Sequence, residues 1–273
     1  MDIPMGEIAA FAVGLAASGV VAGLLAGLFG IGGGAIFVPV FYPVLGLLGV
    51  DEAVRMHVAV GSSLAIIVPT SLRSFRAHYE RGAVDIALLR SFVVAVPAGV
   101  VLASLVAAHV SSGGLRAIFA GIATLVALRL VFGREHWRLG DTIPGNPVRS
   151  LVGAAIGFLS ALMGVGGGVM NNTFMTLFGR PIHQAVATSS GVGVLISIPG
   201  LIGYVWAGWG APGLPVASTG YVNWIAVILM IPITLLVAPF GVRIAHALDK
   251  RTLEKAFGVF MLMVAARFVW TLL

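Results

Sequence analysis

Two copies of a glycine cassette carry the strongest chemical signal in the chain. Gly30-Ile31-Gly32-Gly33-Gly34 recurs as Gly164-Val165-Gly166-Gly167-Gly168, offset by 134 residues. Glycine lets several backbone N–H groups turn toward one point, and such nests, like helix N-termini, bind anions. Six glycines are therefore candidate ligand-binding positions: Gly32, Gly33, Gly34, Gly166, Gly167 and Gly168. Their alternative use is close helix packing through small residues. No Lys-Ser or Lys-Thr follows either copy, which excludes a nucleotide-binding P-loop.

Hydroxyl groups follow both cassettes in the same order, and an amide pair follows the second. Gly61-Ser62-Ser63 matches Thr188-Ser189-Ser190, and Asn171-Asn172 stands directly after the second cassette. Hydroxyls of Ser62, Ser63, Thr188, Ser189 and Ser190 can donate to an oxyanion without adding fixed charge, so an ion can bind and still leave. Serines in membrane helices also bond back to a carbonyl one turn earlier. Asn171 and Asn172 either cap a broken helix or donate to substrate, because a buried amide pair is costly unless satisfied.

The elements that hold these groups are apolar helices. Hydrophobic residues make up 59% of the 273 residues and charged residues 10%, and mean hydropathy is +1.07. A soluble domain carries about 25% charge, so the composition excludes one. Ten apolar segments are expected, at roughly 7–29, 35–49, 57–75, 84–109, 115–132, 148–165, 169–179, 184–209, 221–247 and 253–272. At 1.5 Å per residue, 35–49 and 169–179 measure about 22 and 17 Å, short of a ~30 Å hydrocarbon core. The fold class is all-α: a polytopic membrane protein of two inverted repeats, with eight to ten transmembrane helices and one short broken helix per repeat. Residues 1–132 form the first repeat, 133–147 a cytoplasmic linker and 148–273 the second. Leu115-Arg116-Ala117 with Arg129 and Leu253-Glu254-Lys255 with Arg267 add a further matched landmark. Glycine breaks at matched positions of two halves mark a binding site between broken helices, the arrangement of a transporter.

Charge sets the orientation. Ten of the 16 Lys and Arg lie in loops near 73–82, 133–149, 180–183 and 248–255, while the opposite loops hold only Arg55 and Arg116. The positive-inside rule places the first set in the cytoplasm and both termini outside. Trp206, Trp209, Tyr221, Trp224 and Trp270 then form an outer aromatic belt. Arg129 and Arg267 lie near segment ends and are expected to extend to the interface. Asp2 and Glu7 precede the first segment, which reads as retained rather than as a cleaved signal.

Absences narrow the chemistry. The chain has no cysteine, hence no disulfide, thiolate metal site or cysteine nucleophile. All ten acidic residues lie in loops or at segment ends, and His57, His78, His109, His136, His183 and His246 are expected near the interfaces. No midplane carboxylate is left for a proton relay. An intramembrane serine hydrolase would need a base beside its serine, and no histidine lies deep in a segment. The chain therefore reads as a non-enzyme with no cofactor and no metal, whose partners are a small anion and the lipid bilayer, not nucleic acid.

With Gly-x-Gly-Gly-Gly near the start of each half, the chain resembles the TauE/SafE family of sulfite and organosulfonate exporters along essentially its whole length. The resemblance implies export of a small sulfur-containing anion, such as sulfite or sulfoacetate, across the cytoplasmic (inner) membrane. The first repeat carries the pattern in full, with Pro39 after the glycines. The second places Met170-Asn171-Asn172-Thr173 where the first has Ile36-Phe37-Val38-Pro39. These polar residues leave the particular anion open. Unwound backbone also binds cations through its carbonyls, so a cation-coupled carrier of another anion, such as a carboxylate, stands as the alternative.

Overall fold

The computed structural model describes residues 5–29, 34–133 and 138–272, which form ten α-helices and one short ribbon. The first half holds α1 (Met5–Phe29), α2 (Gly34–Leu47), α3 (Glu52–Glu80), α4 (Ile86–Ala107) and α5 (Ser112–Phe132). The second holds α6 (Val148–Met163), α7 (Gly168–Leu177), α8 (Ile182–Ala207), the strands β1 (Ser218–Thr219) and β2 (Val222–Asn223), α9 (Trp224–His246) and α10 (Lys250–Trp270). All ten expected segments appear as helices. Four begin at side-chain caps that satisfy orphan amides: Asp51 accepts from Ala53, Asp85 from Leu88, Ser111 from Gly114 and Asp249 from Thr252.

The two short helices turn back rather than cross. A Cβ at Gly14, early in α1, would lie 3.6 Å from Val44 and 3.8 Å from Leu48 at the end of α2. The Leu139 amide, ahead of α6, donates to Leu177 O at the end of α7 over 2.8 Å. Each pair is thus a hairpin that returns to the end of the bundle it entered from. α3, α4 and α5 then carry the chain across three times, so α6 and α7 enter from the opposite end. The two halves are inverted for that reason. Hereafter the end that holds residues 138–147 is the linker end, and the other is the far end.

Packing follows the same exchange. α1 lies on α9 as α6 lies on α4, α2 on α3 as α7 on α8, while α3 pairs with α8 and α5 with α10. Swapping the halves maps these pairings onto themselves. Glycine sets the tightest crossing: a Cβ at Gly99 of α4 would fall 2.0 Å from Ala154 O, and one at Gly157 of α6 would fall 2.2 Å from Val96 O.

Helices α3, α4, α5 and α8 and residues Trp224–Gly241 of α9 are long and apolar enough to cross a membrane. α10, with 21 residues, matches α5 in length and runs antiparallel against it. α2 and α7, of 14 and 10 residues, do not reach across; they rise only about 21 and 15 Å. Leu102, Leu125, Ile228 and Leu236 stay exposed on the outside of the bundle, where lipid rather than water is their fitting solvent.

Three basic side chains are buried or half-buried against partners. Arg116, read as a loop residue, lies in the first turns of α5 and is buried. It sits 2.7 Å from Glu52, lies over the Tyr42 ring and donates to Thr271 O. Burial of a guanidinium requires such partners. Arg129 lies in the last turn of α5. It is half-buried and donates to the Thr173 hydroxyl on α7. The matched Arg267 is exposed; its counterpart partner would be Pro39, which offers no hydroxyl. His57 is the third, 3% exposed in the second turn of α3.

Candidate functional site

The second cassette is a break between two half-depth helices. α6 ends at Gly164, whose φ of +67° is left-handed, and α7 starts after Gly167 at +72°. Such backbone suits glycine because it has no Cβ to clash. No side chain caps α7, and its first ladder bond runs from Asn171 N to Gly167 O at 2.9 Å. The amides of Gly168, Val169 and Met170 therefore lack an intrahelical acceptor, at the positive end of the helix dipole.

This break touches both central helices. Gly164 packs on Val38 of α2 and Val60 of α3, Gly166 faces Ile67 and Gly193, and Gly167 faces Ile156, Val192 and Ile196. Ser63 donates to Gly164 O at 2.7 Å. Close packing, the alternative use of the glycines, is realised on their Cα faces. Gly34 opens α2 in the first half, whereas Gly32 and Gly33 lie outside the described residues.

The other polar candidates divide into two groups. Asn171 donates to Ser189 at 2.7 Å, and Ser189 donates to Asn172 Oδ1 at 2.7 Å, so both amides and one hydroxyl form a relay between α7 and α8. The amides therefore do not cap α7. Asn171 is fully buried, and its Oδ1 has no hydrogen-bond partner among the described residues. Thr188, Ser190 and Ser62 are occupied elsewhere. Thr188 Oγ1 accepts from Asp85 N at 2.9 Å, Ser190 bonds back to Ala187 O, and Ser62 Oγ accepts from Asn223 N at 3.0 Å. These contacts again obey the exchange of halves. The α3–α4 loop rests on α8 at Thr188, and the ribbon between α8 and α9 rests on α3 at Ser62.

Sequence reading missed that ribbon and His57 beside it. Two-residue strands leave too short a pattern, but Gly220 and the turn-rich stretch 208–220 were the available signal. At the linker end, an open cleft of about 500 Å³ is lined by Leu72, Arg73, Phe75, Arg76 and Tyr79. It begins one residue beyond Ser71, whose hydroxyl lies against Gly193 and near Gly166. Among the described residues no group of three His, Asp or Glu is placed to hold a metal.

Comparison with known proteins agrees with this architecture. The sulfite exporter TauE/SafE family matches residues 15–268. A probable membrane transporter protein of Haemophilus influenzae is 32% identical over 248 residues, covering 90% of this chain and 94% of that protein. One from Methanocaldococcus jannaschii is 30% identical over 261 residues, covering 90% and 93%. A third, YunE of Bacillus subtilis, is 25% identical over 271 residues, covering 92% and 95%. No solved structure matches the chain. With inverted hairpins, paired glycine breaks and this match over nearly its whole length, the chain is a multi-pass membrane transporter that belongs to the TauE/SafE family.

Proposed function

We propose that the protein exports a small sulfur-containing anion, such as sulfite or sulfoacetate, across the cytoplasmic membrane, and that the second cassette is where the anion is held. The observation that carries this reading is the uncapped start of α7, which follows glycines set between α3 and α8. Three orphan amides at a helix N-terminus favour an oxyanion. Asn172 stands a turn away on α7, bonded to Ser189 of α8. The cleft with Arg73 and Arg76 gives the anion an attractive approach from the linker end, the cytoplasmic side under the positive-inside rule. Residues 1–132 and 148–273 serve as the two repeats and 133–147 as their linker.

The alternative of a cation held by unwound carbonyls is less well supported, since Gly164 O is already bonded to Ser63. No enzymatic step is part of the reading: the Ser63 hydroxyl is donated to that carbonyl. A potential negative inside drives a unit charge outward by about 2.3 kcal/mol per 100 mV, so uncoupled export is sufficient.

The test is efflux from proteoliposomes loaded with sulfite, thiosulfate, sulfoacetate or acetate at a clamped potential. Efflux of a sulfur oxyanion that rises with potential and exceeds that of acetate is expected. Equal acetate flux, or flux only with a sodium gradient, would refute the reading.

A further inference from the structure

The ribbon between α8 and α9 is wedged into the far end of the bundle, directly over the second cassette. Its tip, Gly220-Tyr221, enters between the two central helices. A Cβ at Gly61 of α3 would fall 2.4 Å from Tyr221 O, one at Gly208 would fall 2.4 Å from Tyr221 N, and one at Gly220 would fall 2.1 Å from Val205 O. Three glycines thus admit one turn of backbone. Asn223 N then bonds Ser62, while the neighbouring Ser63 and Val60 hold Gly164. The wedge therefore separates the cassette from the far end.

His57 joins this wedge to two helices. Its ring stacks on Tyr221 with centroids 4.5 Å apart. Its Nε2 lies 3.1 Å from Ala107 O and 3.0 Å from Val110 O, at the end of α4. Both partners are acceptors, so Nε2 carries the proton and the ring is neutral with Nδ1 bare. Nδ1 is buried and has no hydrogen-bond partner among the described residues.

We infer that His57 is a proton-binding site that holds the outer gate: neutral, it keeps the ribbon seated, and protonated at Nδ1, it releases it. The α4 terminus and the Tyr221 face both favour a cation. Neither offers an acceptor to the second N–H, and a buried charged donor without one is strongly unfavourable. The protonated ring is satisfied only when Nδ1 reaches water, which requires Tyr221 to leave.

Other charged groups around the ring are accounted for. Glu52 is paired with Arg116, Arg55 bonds Val50 O, and Asp51 accepts from Ala53 N. Burial pushes the Tyr221 phenol up, so it stays neutral. His109, exposed and bonded to Leu105 O, is the other imidazole nearby and serves as a control.

The inference rests on the cassette being the transport site, yet its test needs no substrate. The chain contains no cysteine, so a single thiol reports one position. Val222→Cys, at a fully buried residue of β2, is treated in nanodiscs with a charged methanethiosulfonate. Its rate is divided by that of Val216→Cys, which is 63% exposed, to remove the pH dependence of the thiol. The ratio is expected to rise at least about tenfold from about pH 8 to about pH 5.5, and to stay flat with His57→Gln. Thr219→Cys is the second reporter if Val222→Cys fails to fold. A constant or falling ratio overturns the inference, as does a rise that survives His57→Gln or vanishes only with His109→Gln. A protein that passes this test but moves no sulfur oxyanion retains its gate and loses only the substrate assignment.

Discussion

Gly167→Ala is expected to abolish transport and to lower stability by about 2–5 kcal/mol. Two independent terms add. Alanine at φ +72° adopts a left-handed backbone, at a cost of about 1–2 kcal/mol. Its Cβ would also lie 2.5 Å from Ile196 Cδ1 and 3.2 Å from Val192 Cγ1. The first contact is the tip of a flexible side chain, so overpacking adds only about 1–3 kcal/mol. The larger functional loss comes from the break itself, because a shifted Gly167 rotates the three orphan amides it precedes. Thermal unfolding in detergent and proteoliposome flux measure the two parts. Wild-type melting with wild-type flux would mean that the left-handed break has no role.

Gly99→Ala and Gly157→Ala are expected to be worse for folding, each by more than about 3 kcal/mol, although neither touches the cassette. Their added Cβ atoms would meet backbone carbonyls, Ala154 O at 2.0 Å and Val96 O at 2.2 Å. No rotamer relieves a backbone clash, so α4 and α6 must separate by about 1 Å along a close-packed seam. The counterpart seam of α1 on α9 grades the effect. Gly23 faces Thr234 Cα at 2.9 Å, while Gly19 faces the Ile233 side chain at 3.1 Å. The expected order of damage is therefore Gly99 and Gly157, then Gly23, then Gly19. Yield of monodisperse protein and melting temperature report it. Equal tolerance at all four would contradict the packing described here.

The sequence made the helices legible because lipid demands long apolar runs with internal hydrogen bonds. The shortness of α2 and α7 was legible for the same reason, since too few residues separate the glycines from the next polar stretch. That each pair turns back was not. It depends on contacts such as Leu139 with Leu177, between residues that no periodicity links. Some helix starts were read several residues late, just after a side-chain cap. α3 starts at Glu52 rather than 57, after Asp51, and α5 at Ser112 rather than 115, after Ser111. The burial of His57 and Arg116 was not legible, because it depends on partners from other helices.

The polar site was partly legible. Matched order picked out Ser63 and Ser189, which do meet Gly164 and the asparagine pair. It also picked out Ser62 and Thr188, whose partners are loops from the other half. A hydroxyl motif repeated in two halves signals a shared backbone contact as readily as a shared ligand. Arg129 with Thr173 was hidden by symmetry itself: Arg267 predicted equal behaviour, and only the exchange of Pro39 for Thr173 broke it.

The most direct test of the central claim is equilibrium binding of sulfite to purified Gly166→Ala beside the wild type. Its Cβ would meet only Ile67 Cγ2 at 3.1 Å, with Gly193 and Ser71 at 3.8 and 3.9 Å, so the fold tolerates it. The methyl group fills the gap beside the orphan amides between α3 and α8. Affinity at least about tenfold weaker, with melting close to wild type, is the predicted result. Unchanged affinity in a folded Gly166→Ala would show that the anion is held somewhere other than the second glycine break.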